Sequence, residues 1–159
     1  MKLLRVGLLM IASIAGNPAA QAQGHTVLVR AALDNPGPSA GVVEAVRSKI
    51  VANPRYSVTK TIVGTELVLS IACANQPSGY ACSYHIAFYS PKTAPLSLAP
   101  KVGIVSGQTI EKVTDRLYES FVDNSTDDRI HSAIRLQLDL VAAFCKRETN
   151  RDYCRSTNQ

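Results

Sequence analysis

The chain has 159 residues, and its 17 Lys and Arg against 12 Asp and Glu give a net charge of +5. That length is enough for one ordinary domain with a buried core. The basic residues are scattered and cluster only at Lys146-Arg147, with Arg151 and Arg155 beyond, which excludes the basic stripe with interleaved aromatics of a nucleic-acid binder.

The first two dozen residues read as an export signal. Lys2 and Arg5 give a positive start, Val6 to Ala15 is an uncharged apolar run, and Ala20-Gln21-Ala22 offers a small-x-small cleavage pattern. Residues 1–22 are therefore expected to be a signal peptide cut after Ala22, leaving 23–159 as a single exported α+β domain of net charge +3 once Lys2 and Arg5 are gone. The apolar run is too short to span a bilayer, and no later stretch approaches about 18 uninterrupted apolar residues. The mature chain is expected to carry no membrane span and to reside in the periplasm or outside the cell.

Thr26 to Leu33 alternates as a strand, broken by Asp34-Asn35-Pro36-Gly37-Pro38. Ser39 is placed to cap a helix from Ala40 to Ala52, with Val42, Val43, Val46, Ile50 and Val51 as its apolar stripe. Asn53-Pro54 ends it. Tyr56 to Val63, rich in β-branched residues, reads as a second strand.

Glu66 to Ala74 and Ala81 to Ser90 read as a hairpin about Gln76-Pro77-Ser78-Gly79. Centring it there pairs Cys73 with Cys82, Ile71 with Tyr84, Leu69 with Ile86 and Leu67 with Phe88, all eight side chains on one face. The other face carries Ser70, Ala72, Ser83, His85 and Tyr89 and is expected to be partly wet. Pro91 to Pro100 is a proline-punctuated connection. Lys101 to Ser106 reads as a short fifth strand weakened by Gly103.

A helix follows from Thr109 to Val122, with Ile110, Val113, Leu117 and Phe121 on one stripe. Ser125-x-x-Asp128 resembles a capping box for a last helix to Lys146, whose core face is Ile130, Ala133, Ile134, Leu138, Val141 and Phe144. The order β-α-β-β-β-(β)-α-α implies an α+β fold, a mixed sheet of four or five strands with three helices covering one face.

Cys73, Cys82, Cys145 and Cys154 allow three pairings. Spacing favours Cys73–Cys82 and Cys145–Cys154, and in an exported chain with an even count such bonds persist. There is no CxxC, so a zinc site is not expected.

From Ala45 to Leu69, a helix runs into Asn53-Pro54-Arg55-Tyr56-Ser57-Val58 and on to Glu66-Leu67-Val68-Leu69. This half of the mature chain resembles small bacterial exported α/β domains of unknown function. It also resembles the amino-terminal α/β domain of the periplasmic Tol-Pal translocation protein. The resemblance implies a periplasmic protein-interaction module and carries over no catalytic residues.

Chemistry-bearing residues are sparse. His25 falls three residues past the expected cut, on an end expected to fray, and His131 lies off the apolar stripe of the last helix. His85 shares the polar hairpin face with Ser83 and Tyr89. No two histidines have ligand spacing, so no metal and no cofactor are expected. There is no Gly-x-Ser-x-Gly, and Gly103-x-x-x-Gly107 lacks the Lys-Ser/Thr of a phosphate loop. No catalytic residue is assigned.

Tyr80, His85 and Tyr89 form the candidate partner surface. The leading expectation is a non-enzymatic module binding a protein or envelope component. The alternatives are a small hydrolase using His85, or an inhibitor acting through the 91–100 loop.

Overall fold

A computed structural model of the chain describes residues 24–33, 37–89, 101–147 and Cys154. The expected leader, the 91–100 connection and most of the tail lie outside the described residues. The element order is β1 (His25–Ala31), α1 (Ser39–Val51), β2 (Tyr56–Thr59), β3 (Leu67–Gln76), β4 (Gly79–Phe88), β5 (Lys101–Gly107), α2 (Ile110–Asn124) and α3 (Asp127–Arg147). The strands form one sheet in the order β2-β1-β3-β4-β5. Strand β1 runs parallel to β2 and β3, and the β3–β4 and β4–β5 pairs are antiparallel. This is the α+β arrangement the sequence predicts, with the fifth strand present.

The hairpin adopts the expected register, with Leu67, Leu69, Ile71 and Cys73 opposite Phe88, Ile86, Tyr84 and Cys82. Pairing continues to Gln76 and Gly79, so Pro77-Ser78 is the connecting loop. Gly79 has φ 133°, and a Cβ there would overlap the carbonyl oxygen of Gly107, so only glycine fits. Alternation places one side-chain row of β1, β3 and β4 beneath the helices. Val27, Val29, Leu67, Leu69, Ile71 and Ile86 pack with Val42, Val46 and Ile50 of α1 and Val113, Leu117 and Phe121 of α2 in one buried cluster. Both disulfides form: Cys73–Cys82 across the hairpin with Cα atoms 4.0 Å apart, and Cys145–Cys154 at the end of α3.

Several local expectations are corrected. Ser39 is not a helix cap: it is the first residue of α1, and its buried hydroxyl accepts a 2.8 Å hydrogen bond from the Cys73 amide. That bond ties α1 to β3 and uses the oxygen a cap would need. Strand β2 stops at Thr59 rather than Val63, because only its first four residues pair with β1. Thr61 and Thr65 then close a turn, leaving Ile62 and Val63 exposed.

Gly103 lies within β5 and does not interrupt it. It sits opposite Tyr84, and a Cβ there would fall into the Tyr84 ring, so the glycine makes room for the aromatic. Thr109 caps α2 by accepting from the Lys112 amide.

The last helix departs most from its expected pattern. Ser125 is not the start of a capping box. It is buried between α2 and α3, donating to the Phe121 carbonyl and paired with the Tyr56 hydroxyl at 2.8 Å. The buried stripe of α3 is Ile130, Gln137 and Val141, with Ala133 and Ile134 packed against the core. Gln137 takes an inward position because its side-chain amide donates to the Phe88 carbonyl at 2.6 Å. Leu138 and Phe144, expected inside, are 39% and 42% exposed.

Candidate functional site

Of the two edge strands, β2 and β5, β5 is the more exposed among the described residues. Which of its backbone groups are free follows from the neighbouring pairs. The 4.0 Å Cα separation of Cys73 and Cys82 marks a non-hydrogen-bonded pair. The peptide groups of Cys82 therefore point the other way, toward Val105. Alternation then aims the N–H and C=O of Lys101, Gly103, Val105 and Gly107 at β4, and those of Val102, Ile104 and Ser106 at the open edge. The Ser106 carbonyl confirms this outward set, since it accepts a hydrogen bond from the Arg116 guanidinium of α2.

The side chains of Val102 and Ile104 lie on the face away from α1 and α2 and are 64% and 78% exposed. This reverse face is graded. It is closed at the centre of the sheet, where Val68 and Ser70 of β3 and Ala87 of β4 are buried. Toward β5 it opens, with Ser83 exposed. It is partly wet as expected, but in this graded way. Where β5 ends, Gln76, Tyr80, Ser106, Gln108, Lys112 and Arg116 line an open cleft of about 440 Å³. Its charged groups, Lys112 and Arg116, are both cationic.

The three residues singled out as a partner surface are not brought together. Tyr80 shares the helix-side row with Cys82 and Tyr84 and packs against the core cluster. His85 and Tyr89 belong to the reverse-face row, and His85 lies between Ser70 and Val102 of its neighbouring strands. All three are half-buried. The two serine hydroxyls on the His85 face are bonded elsewhere: Ser70 Oγ accepts from Arg30 Nε at 3.1 Å, and Ser83 Oγ donates to the Ala72 carbonyl.

His25, expected on a frayed end, is instead paired with Tyr56 in the sheet, and its side chain anchors a charged corner. Its Nδ1 is 3.0 Å from Glu66 Oε2 and its Nε2 is 3.3 Å from Asp127 Oδ1. Arg55 reaches the same Asp127 oxygen at 2.8 Å, and the His131 ring stands edge-on to His25 at 6.1 Å. The corner joins β1, β2 and the approach to β3 to the first turn of α3. Both nitrogens of His25 face carboxylates, so the ring acts as a tie rather than a base open to a substrate. No group of three or more His, Cys, Asp or Glu side chains suited to a metal occurs among the described residues.

The Arg55 guanidinium, followed by His25, holds the Asp127 carboxyl below its ordinary value. A lowered carboxyl pKa stabilises the fold above the ordinary carboxylate range, and the contribution fades as pH falls through it. Below about pH 4, the protection of the amides in the first turn of α3, relative to their intrinsic exchange rates, is therefore expected to fall before the sheet responds. Asp127→Asn should show the lower protection already at neutral pH. An unchanged first turn in either experiment would mean that the corner does not hold the helix.

No protein-family model and no curated protein sequence matches the chain. Among solved structures, TolB from Acinetobacter baumannii is similar at a TM-score of 0.47 and 12% sequence identity, over 65% of this chain. The matched region spans 28% of that TolB chain, and the similarity is one of architecture.

Proposed function

We propose that the chain is an exported, non-enzymatic module that binds a protein or envelope component in the periplasm or outside the cell. The observation that carries the reading is the β5 edge, where Val102 and Ile104 expose apolar side chains beside backbone groups that pair with no further strand among the described residues. An edge strand with exposed apolar side chains is a template for pairing with another segment. Export is supported by the two disulfides, whose chemistry belongs to an oxidising compartment. Binding rather than catalysis is supported by the engagement of His25 with two carboxylates and by the separate bonds of Ser70 and Ser83 beside His85.

In-cell crosslinking of the full chain, followed by identification of what comes with it, tests the reading. The expected result is one protein or envelope component recovered reproducibly. Recovery of none, or an enzymatic activity that His85→Ala abolishes while the fold stays intact, overturns it.

A further inference from the structure

The geometry points to β5 as a strand-addition site for an extended segment of another protein that carries Asp or Glu side chains beside its apolar ones. This rests on the binding reading above and gives the partner its chemistry. The outward N–H and C=O groups of Val102 and Ile104 form a short ladder already in strand geometry, the template on which an added strand pairs. The exposed side chains of the same two residues stand on one face, so alternate residues of an added strand gain apolar neighbours. Both ends of the ladder carry net positive charge, with Asp128 lining the cleft at the first end together with Lys101 and Arg129. Lys101 lies at one end, and at the other Arg116 is bonded to the Ser106 carbonyl with Lys112 in the same cleft.

Those charges decide between occupants. A two-fold antiparallel pairing of two β5 edges centred on Ile104 would set Lys101 of one copy opposite Gly107 of the other. The Lys112 side chain packs beside Gly107, and Arg116 lines the same cleft. Like charges would then meet at both ends of the ladder, which opposes a second copy. A segment bearing carboxylates meets the same cations with favourable sign, and the guanidinium on the Ser106 carbonyl stops the ladder where its last pair would form.

The probe is a set of short peptides selected from a random displayed library on the full-length mature chain, then synthesised with amidated ends so that only side-chain carboxylates remain. The enriched peptides are expected to alternate β-branched residues and to contain Asp or Glu. Hydrogen exchange should slow at Val102 and Ile104, and binding should weaken in high salt.

Ile104→Pro removes an outward N–H without removing a bond to β4, and should reduce affinity at least about tenfold. Ile104→Lys keeps the backbone intact and should weaken binding comparably, so the proposal stays testable if the proline variant does not fold. Failure to enrich any peptide overturns strand addition. So does binding unaffected by both variants, or a dimer of the chain that Ile104→Lys dissociates. A partner crosslinked in cells that survives Ile104→Lys overturns this inference and leaves the binding reading standing; absence of any crosslinked partner overturns both.

Discussion

Phe121→Ala is expected to lower the free energy of unfolding by about 3–5 kcal/mol, measured by urea denaturation. Phe121 is fully buried near the end of α2 and belongs to the cluster formed by the sheet and the helices. Its ring stacks at a tilt on Tyr56 of β2, with centroids 5.1 Å apart. The Tyr56 hydroxyl is in turn bonded to Ser125, whose own hydroxyl donates to the Phe121 carbonyl. One aromatic thus supports the edge strand β2, the end of α2 and the turn into α3. Removing it leaves a cavity that three elements would have to close at once, which places the cost at the upper end for such truncations. The midpoint should fall without a change in slope if the fold is otherwise kept. A loss below about 1 kcal/mol would show that the α2–α3 junction relaxes freely and that the Tyr56–Ser125 bonds alone hold it. Tyr56→Phe separates the two contributions, because it deletes the hydroxyl and keeps the ring; it should cost about 1–3 kcal/mol.

The hairpin was legible in the sequence because three independent signals coincide there. Apolar alternation, the Pro77-Ser78 turn and the spacing of Cys73 and Cys82 all require one register, and a slip of one residue would break every one of them. Most of the stripe of α2 was legible for a similar reason, since Val113, Leu117 and Phe121 repeat at the helical period and are buried, whereas Ile110, expected with them, is exposed at the helix start. What escaped were polar side chains whose partners lie far along the chain. Ser39 looks like a cap until the amide of Cys73 is placed 34 residues away. Ser125 looks like one until Tyr56 is seen beside it, and Gln137 looks solvent-facing until the Phe88 carbonyl needs a donor. Local pattern cannot encode those distances. The same limit hid His25, whose partners Glu66 and Asp127 are supplied by the sheet and by α3. At the candidate site, β5 itself could be read as a strand, but its place at the sheet edge could not. That depends on the pairing of all five strands, and it turns an ordinary Val-Gly-Ile into an open ladder.

Removing Cys73 and Cys82 together by alanine substitution is expected to cost about 2–3 kcal/mol, the chain entropy released when so short a loop is opened. Removing Cys145 and Cys154 should cost much less, although the two bonds span equal separations of nine residues. The difference lies in what each bond joins. Cys73 and Cys82 sit directly opposite each other in the central β3–β4 pair, with Cys82 fully buried and itself paired with Val105 of β5. Opening that bond acts on strands that unfold only with the whole sheet. Cys145 lies in the last turn of α3, beyond Val141, the final buried residue of that helix, and near the half-exposed Phe144. Although Cys154 is itself buried, the helix has no buried residue beyond Val141, so its crosslink is expected to restrain local opening rather than global unfolding. Denaturation of the two double variants, with amide exchange along α3 and β5, gives the comparison. The hairpin variant should lose global stability and raise exchange in β3 and β4. The helix variant should keep its midpoint and exchange faster only over the last turn of α3. Equal losses would mean that the end of α3 unfolds together with the sheet. The Cys145–Cys154 bond would then be as central to the fold as the one in the hairpin.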